Sequence, residues 1–395
     1  MSMATLRGKA MPGPDDTSPR CAARPRLDRA RHARQSALVL TAVHDRLGRN
    51  VMRSRLTVTM LLALLTLPLV PPARAQNALV VSIWGGNWKD TVDKVVGRPF
   101  TARTGIPVEY EVGGTIDRLA KARVAKGSPL VDLNFTTTHV ARLYISDGLY
   151  DRLDLAKLPS SKEIAKEAFR SEFHIGSWAY VYTVVYRPDL VKEDITKWSD
   201  LWKPSLKGKL ALPDFDPSHI ITIAALMEGG NEVNWQKGEA RLKQLKDSVA
   251  AFYSTDAQSQ DLMKTGQGPV QVMLSVNAYH LQEQGIAVKV VQPTDYPGVV
   301  GIDTMAVMAG TTKADAAHQF INLALSRDIQ SELVRTLRVG PVNPGAAVPA
   351  SLKGQPGVFL SPAEWKERGY IMNDEARAKN LPGWREWFTA NVVKK

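Results

Sequence analysis

The chain has 395 residues, 44% of them hydrophobic, with 51 Lys plus Arg against 39 Asp plus Glu and a formal net charge of +12. Of that excess +9 sits in residues 1–75, so the remaining 320 carry only +3, which gives no reason to invoke nucleic acid or an acidic membrane surface as a partner. The single cysteine, Cys21, lies in the same N-terminal stretch, which excludes disulfides, thiolate metal sites and a lipid-modified cysteine from the rest of the chain.

Residues 1–51 are rich in Arg, Ala and Pro and contain no aromatic residue, a composition that predicts disorder and argues against a nucleic-acid patch. Arg53 and Arg55 then precede an apolar run over 56–70, broken by Thr57, Thr59, Thr66 and Pro68 and followed by Ala73-Arg74-Ala75. This is the pattern of a secretory signal over 52–75, cleaved near Ala75, with translation expected to start at Met52. The run is shorter than the roughly 20 residues a spanning helix needs, and Pro68, Pro71 and Pro72 close it, so no permanent membrane anchor is expected. The expected product is an exported, periplasmic monomer.

From residue 79 strands and helices alternate. An apolar run at 79–83 predicts a strand that breaks at Trp84-Gly85-Gly86, and Val92, Val95, Val96 and Phe100 then share the face of a helix stopped by Gly105. Ile106, Val108, Tyr110 and Val112 alternate with Pro107, Glu109 and Glu111, the period of a half-buried strand, which Gly113-Gly114 ends. A helix carrying Ile116, Leu119 and Ala120 follows, stops at Gly127 and leads into a strand at 130–135. The long β-rich run 174–186 holds Trp178, Tyr180, Tyr182 and Tyr186 at one parity and is long enough to pass between lobes. Ser199 and Asp200 cap a short helix with Leu201 and Trp202 on its apolar face, Pro204 ends it, and Lys207-Gly208-Lys209 turns the chain into a strand at 210–212. Helices at 218–227 and 239–246, a strand at 249–253, a helix near Asp261, strands at 270–274 and 287–291, a strand in 301–308 beginning at Asp303 and helices at 314–325 and 329–337 complete the pattern. Such alternation predicts a mostly parallel α/β sheet, and the lack of a fixed period excludes a solenoid.

Several residues stand where such sheets bind ligands. Pro213 forces the chain out of its strand at Asp214, just beyond a carboxyl end, where a helix cap is the plainer role for the acid. Gly85 and Gly86 occupy the first strand-to-helix junction, where a ligand can approach the backbone and the helix offers free N–H groups; an ordinary glycine turn with Trp84 in the core is the alternative. Thr136 and Thr138 follow a strand end and either bind a ligand or cap the next helix. Asp303 interrupts the apolar strand VVGIDTMAVM, where burial costs several kcal/mol unless the charge is paired. Asp214 and Asp303 are expected to bracket a cation from opposite lobes, with Trp84, Trp178 and Tyr180 as apolar or cation–π surface.

Enzyme motifs do not appear. There is no G-x-S-x-G, H-E-x-x-H, P-loop or G-x-G-x-x-G, and none of the five histidines after residue 75 pair at i, i+4. No cofactor or metal is expected, and the spacing of Tyr180, Tyr182 and Tyr186 does not reproduce neighbouring ferric-binding tyrosines.

The run WSDLWKPSLKGKLALPD over 198–214 resembles the spermidine/putrescine-binding group of periplasmic solute-binding proteins, in which W-x-D-L-W-x-P-x-x-K-G-K recurs. VEYEV, VAAFYS at 249–254 and AAHQFINLALS at 316–326 extend the resemblance to the C-terminus, while Val339-Gly340-Pro341-Val342-Asn343 matches a G-x-P-x-N loop loosely. The resemblance implies a type II periplasmic-binding fold of two α/β lobes joined by crossing strands, with residues 76–182 plus 303–350 in one lobe and 183–302 plus 351–395 in the other. It also implies a receptor for an ABC importer that closes over a small solute and delivers it to a membrane permease. Departures bear on the ligand: where relatives read N-W-T-E-Y this chain has Gly86 in place of the acid, and where they read W-x-D it has Gly301 in place of the Trp. Relatives place a Ser and a Tyr where Thr136 and Thr138 stand, and a wall Trp near 274–277 is replaced, leaving Tyr279 and His280 nearby. A polyamine is the first expectation, an amino acid, opine or other zwitterion using Gly85-Gly86 the second, and a secreted α/β hydrolase the rival of another class.

Overall fold

The computed structural model describes residues 77–393, so the readings made above for residues 1–76, including the signal and the start at Met52, lie outside the described residues. Eleven strands among them form one mixed sheet: β1 (Leu79–Ile83), β2 (Val108–Val112), β3 (Leu133–Thr137), β4 (Ile175–Tyr186), β5 (Leu210–Pro213), β6 (Val249–Tyr253), β7 (Val270–Leu274), β8 (Lys289–Val290), β9 (Gly298–Val307), β10 (Gly340–Pro341) and β11 (Gly369–Ile371). The order is β2-β1-β3-β9-β4-β7-β5-β6, with β8 and β10 on β4 and β11 on β9. β1 is parallel to β2 and β3, and β5 is parallel to β6 and β7, so each wing has the parallel pairing that intervening helices impose.

The two wings are the two lobes, and β4 and β9 cross between them. Asp303 to Val307 pair antiparallel with β3, whereas Val299 and Val300 pair with Tyr182 and Val181 and, on their other side, with β11. β4 begins against Met305 of β9 and ends against β7. All twelve of its residues are buried, because a strand threaded between two lobes is covered on both faces. Trp178 lies between the rings of Trp88 and Phe135, each 5.5 Å away and near-parallel, contacts worth about 0.5–1.5 kcal/mol apiece beyond the area they bury.

Some elements differ from expectation, for local reasons. The first helix is interrupted by a π-turn at Asp93–Gly97 between helical segments Asn87–Val92 and Arg98–Thr104, because Pro99 has no N–H to give the Val95 carbonyl. β3 starts at Leu133, three residues after the exposed Leu130, since the Asp132 carboxylate accepts the Val80 amide at 2.8 Å. β9 begins five residues before Asp303, held by β4 and β11, and β8 keeps only two of the five residues expected at 287–291. The helix expected at 239–246 spans Glu239–Gln244.

Asp200 accepts the Thr196 and Lys197 amides at 2.9 Å each and so fixes the turn Trp198–Trp202, while Trp198 is fully buried. After β11 the chain forms the helix Asp374–Phe388, N-capped by Asn373, which packs on the helix Thr138–Ser146 of one lobe and on the helix Ser218–Met227 of the other.

Candidate functional site

The loops at the carboxyl ends of the parallel strands in both lobes converge on one cavity of about 250 Å³. Trp84, Gly85 and Gly86 after β1, Gly113 to Thr115 after β2 and Thr137 of β3 line it from one lobe. Phe215, Asp216 and His219 after β5, the 254–257 segment after β6 and Leu274 of β7 line it from the other, and Tyr180, Tyr182 and Asp303 of the crossing strands form its base. This is the position at which open α/β sheets bind ligands, and the volume suits a small solute rather than one of drug size, for which pockets run to roughly 300–1,000 Å³.

Trp84, Trp88, Tyr180, Tyr182, Phe215 and His219 bring aromatic rings to the wall. Trp84 donates its Nε1 to Thr115 Oγ1 at 2.7 Å and carries the buried Arg118 guanidinium 5.1 Å from its ring centroid. Gly86 sits at φ 63 immediately before the helix Asn87–Val92, a left-handed backbone that a side chain would strain. Tyr182 stacks on His219 with ring centroids 3.7 Å apart, and burial pushes the His219 pKa down to about 3, so the pair is a neutral wall. Gly301 opens room for Tyr180, because a Cβ at 301 would stand 2.2 Å from the tyrosine Cζ and Oη.

Of the residues singled out from sequence, Trp84, Gly85, Gly86, Tyr180 and Asp303 line the cavity together. Trp178 does not face it; it is 1% exposed and donates Nε1 to Asp303 Oδ2 at 2.8 Å, holding that carboxylate from behind. Thr136 and Thr138 are each 1% exposed and stand outside the lining: alternation along β3 turns Thr137 towards the cavity instead of Thr136, and Thr138 opens the helix Thr138–Ser146. Asp214 is also displaced: it accepts Ser254 Oγ at 2.8 Å and lines a separate depression with Gly114, Phe215 and Arg385.

Asp216 and Asp256 are the acids that sequence reasoning missed. Asp216 lies two residues beyond Asp214, 6% exposed, with Arg377 Nη2 at 3.0 Å, His139 Nε2 at 3.1 Å and the Ser218 amide at 3.1 Å. Burial opposes its charge, but the Arg377 guanidinium beside it, with the neutral His139 ring as a polar neighbour, prevails and holds its carboxyl well below the usual range. Asp256 opens the helix Asp256–Thr265, where N-capping Thr255 gave it the look of an ordinary first-turn acid, and it accepts Trp88 Nε1 at 3.0 Å. The signal available in the sequence was an acid three residues beyond the strand end in each case, Asp216 after Pro213 and Asp256 after Tyr253.

Asp303 is 3% exposed, its Oδ1 has no hydrogen-bond partner, and burial pushes its pKa well above the carboxylate range. An acid and a histidine do meet here, as a hydrolase would require, but His139 is 1% exposed and Ser218 Oγ, fully buried, accepts from Arg377. His139 and Ser218 lie behind the cavity wall and Asp216 in it. Among the described residues no group of three or more His, Cys, Asp or Glu side chains could hold a metal ion, and no helix is long and apolar enough to cross a membrane.

A family model described as bacterial extracellular solute-binding protein matches residues 96–359. The spermidine/putrescine-binding periplasmic protein of Escherichia coli K12 is 26% identical over 309 residues, covering 75% of this chain and 87% of its own. Among solved structures, the PBP AgtB from A. tumefaciens R10 in complex with agropinic acid superposes with a TM-score of 0.70 at 20% identity, over 81% of this chain and 99% of that one. The spermidine/putrescine ABC transporter substrate-binding protein PotD from Streptococcus pneumoniae gives 0.63 at 20% identity, over 79% and 99%. With two lobes, crossing strands and a solute-sized cavity at their strand ends, the chain belongs to the bacterial extracellular solute-binding protein family.

Proposed function

We propose that the protein is the periplasmic receptor of an ABC importer and that its solute is a small organic cation of the polyamine kind. The observation that carries this reading is Asp303: a buried carboxylate with one oxygen unpartnered, set in the base of an aromatic cavity. A carboxylate in such a place is costly unless a cation or hydrogen bonds answer it, and an ammonium group supplies both. Trp84, Tyr180, Tyr182 and Phe215 offer faces and apolar edges to an alkyl chain and to its charged end. The E. coli relative, a spermidine/putrescine-binding protein by name, points the same way.

The lobes are read as 76–182 with 303–350 and 183–302 with 351–395, because the pairing partner of β9 changes from β11 to β3 along its length. Bound solute would favour the closed arrangement by its differential affinity for it, and the closed form would dock on the permease. A zwitterion is the second reading, favoured by the open backbone at Gly85-Gly86 and Gly113-Gly114 opposite the acids. A thermal-shift screen against putrescine, spermidine, amino acids and opines separates the two, since ligand at 100 times its dissociation constant adds about 2.7 kcal/mol. Stabilisation by polyamines is expected, and a response to opines or amino acids alone would replace the cation by the zwitterion.

A further inference from the structure

The cavity holds a second carboxylate for which the family resemblance offers no counterpart. Trp88 and Trp178 stack with centroids 5.5 Å apart and planes 11° from parallel, and each directs its single indole N–H to a different acid: Trp88 to Asp256 at 3.0 Å, Trp178 to Asp303 at 2.8 Å. Asp256 comes from the lobe of β6 and Asp303 from the crossing strand β9, and both line the same space. Among the described residues neither has a Lys, Arg or His within 4.0 Å. Asp216, the third acid of the wall, is already answered by Arg377 and His139. The charge left for a solute is therefore that of Asp256 and Asp303.

We propose that Asp256 is a second anionic anchor facing Asp303, and that this pair takes up its cationic solute in exchange for protons. The inference rests on the cation reading above. In the exchange a neutral carboxyl gives its proton to water, the ammonium of the solute keeps its own, and the carboxylate so formed pairs with that ammonium; charge and atoms balance with no other reactant.

The surroundings of both acids support the exchange. Around Asp256 stand Trp88, the Asn277 amide, Tyr253 of β6 and Tyr182 of β4, none of them cationic. Around Asp303 stand Trp178, Tyr180, Asp256 and, farther off, the guanidinium groups of Arg118 and Arg377. Arg118 donates to the Gly113 and Phe135 carbonyls and to Asn134, and Arg377 pairs with Asp216; neither forms an ion pair with Asp303, and their charges only partly offset the burial that raises it. Burial raises Asp256 to about 6 and Asp303 well above the carboxylate range, and the charge of Asp256 adds to the rise at Asp303. A cation placed between them reverses both effects. Since the charged pair is the binding form, affinity falls with acidity below about pH 6, by about tenfold per pH unit for each proton exchanged.

The test is calorimetric titration of putrescine and spermidine into the purified protein, in buffers of different ionisation enthalpy, across about pH 5 to pH 8. Net proton release on binding and an affinity that weakens at least tenfold from about pH 6 to about pH 5 are expected. In Asp256→Asn, which keeps an acceptor for Trp88, affinity near pH 8 should drop at least tenfold and the proton release measured near pH 5.5 should shrink; Asp256→Glu should restore that release with a moved midpoint. Polyamine binding without proton release, or Asp256→Asn behaving as wild type, would overturn the inference while leaving the cation reading standing. A protein that ignores polyamines at every pH and binds γ-aminobutyrate or an opine would overturn both.

Discussion

Replacing Arg377 by Met removes a guanidinium that is fully buried and answers two carboxylates at once. Its Nη2 lies 3.0 Å from Asp216 and also donates to Ser218 Oγ at 3.0 Å, and its Nη1 lies 3.6 Å from Asp374. Methionine keeps much of the volume, so the expected loss is electrostatic: breaking a buried pair on one side costs about 3–5 kcal/mol. For a chain of this size that corresponds to a drop in melting temperature on the order of 10 °C. The loss has a pH signature. In the wild type Asp216 has a depressed pKa and contributes stability present above its unfolded value, lost as pH falls. The His139 ring is held neutral by burial and by the charge of Arg377, so removing the arginine lets the ring take a proton beside Asp216. That compensation is present below the unfolded histidine pKa of about 6.5 and fades as pH rises. Urea denaturation followed by tryptophan fluorescence should therefore show a larger deficit at about pH 8 than at about pH 5.5. A deficit under about 1 kcal/mol, equal at both, would mean that these acids are solvated and that the cluster behaves as a surface ion pair.

Two further substitutions separate the cavity from its surroundings. Asp303→Asn should weaken polyamine binding at least tenfold, about 1.4 kcal/mol or more, whereas Asp214→Asn should change it less than about twofold because that carboxylate does not line the cavity and is bound to Ser254 from the separate depression; equal losses in the calorimeter would return Asp214 to the site. Gly301→Ala forces a methyl against the Tyr180 ring at 2.2 Å, so a cost of about 1–3 kcal/mol and a weaker affinity are expected; an unchanged melting temperature and affinity would show that Tyr180 moves freely.

Much of the fold was legible because side-chain periodicity is a local property. Alternation in VEYEV, the apolar run at 79–83 and the stops at Gly105 and Pro213 located β2, β1, the end of the first helical stretch and the end of β5. The length of 174–186 and its aromatic parity anticipated a strand passing between lobes, and the isolation of Asp303 in an apolar strand marked it as an acid with a purpose. Parity along a strand also explains the misses: it separates Thr137 from Thr136 but does not say which face meets the cavity. Trp178 shares the parity of Tyr180, yet Trp88 covers it, and only packing decides that. The choice of Asp216 over Asp214 depends on Arg377, some 161 positions away in a helix that packs on both lobes, and the role of Asp256 depends on an indole 168 positions away. Sequence by itself determined where strands and helices form and which acid cannot be exposed. Which acids are neutralised and which wait for a cation was decided by the tertiary structure, because charge compensation acts across a few ångströms of space whatever the separation along the chain.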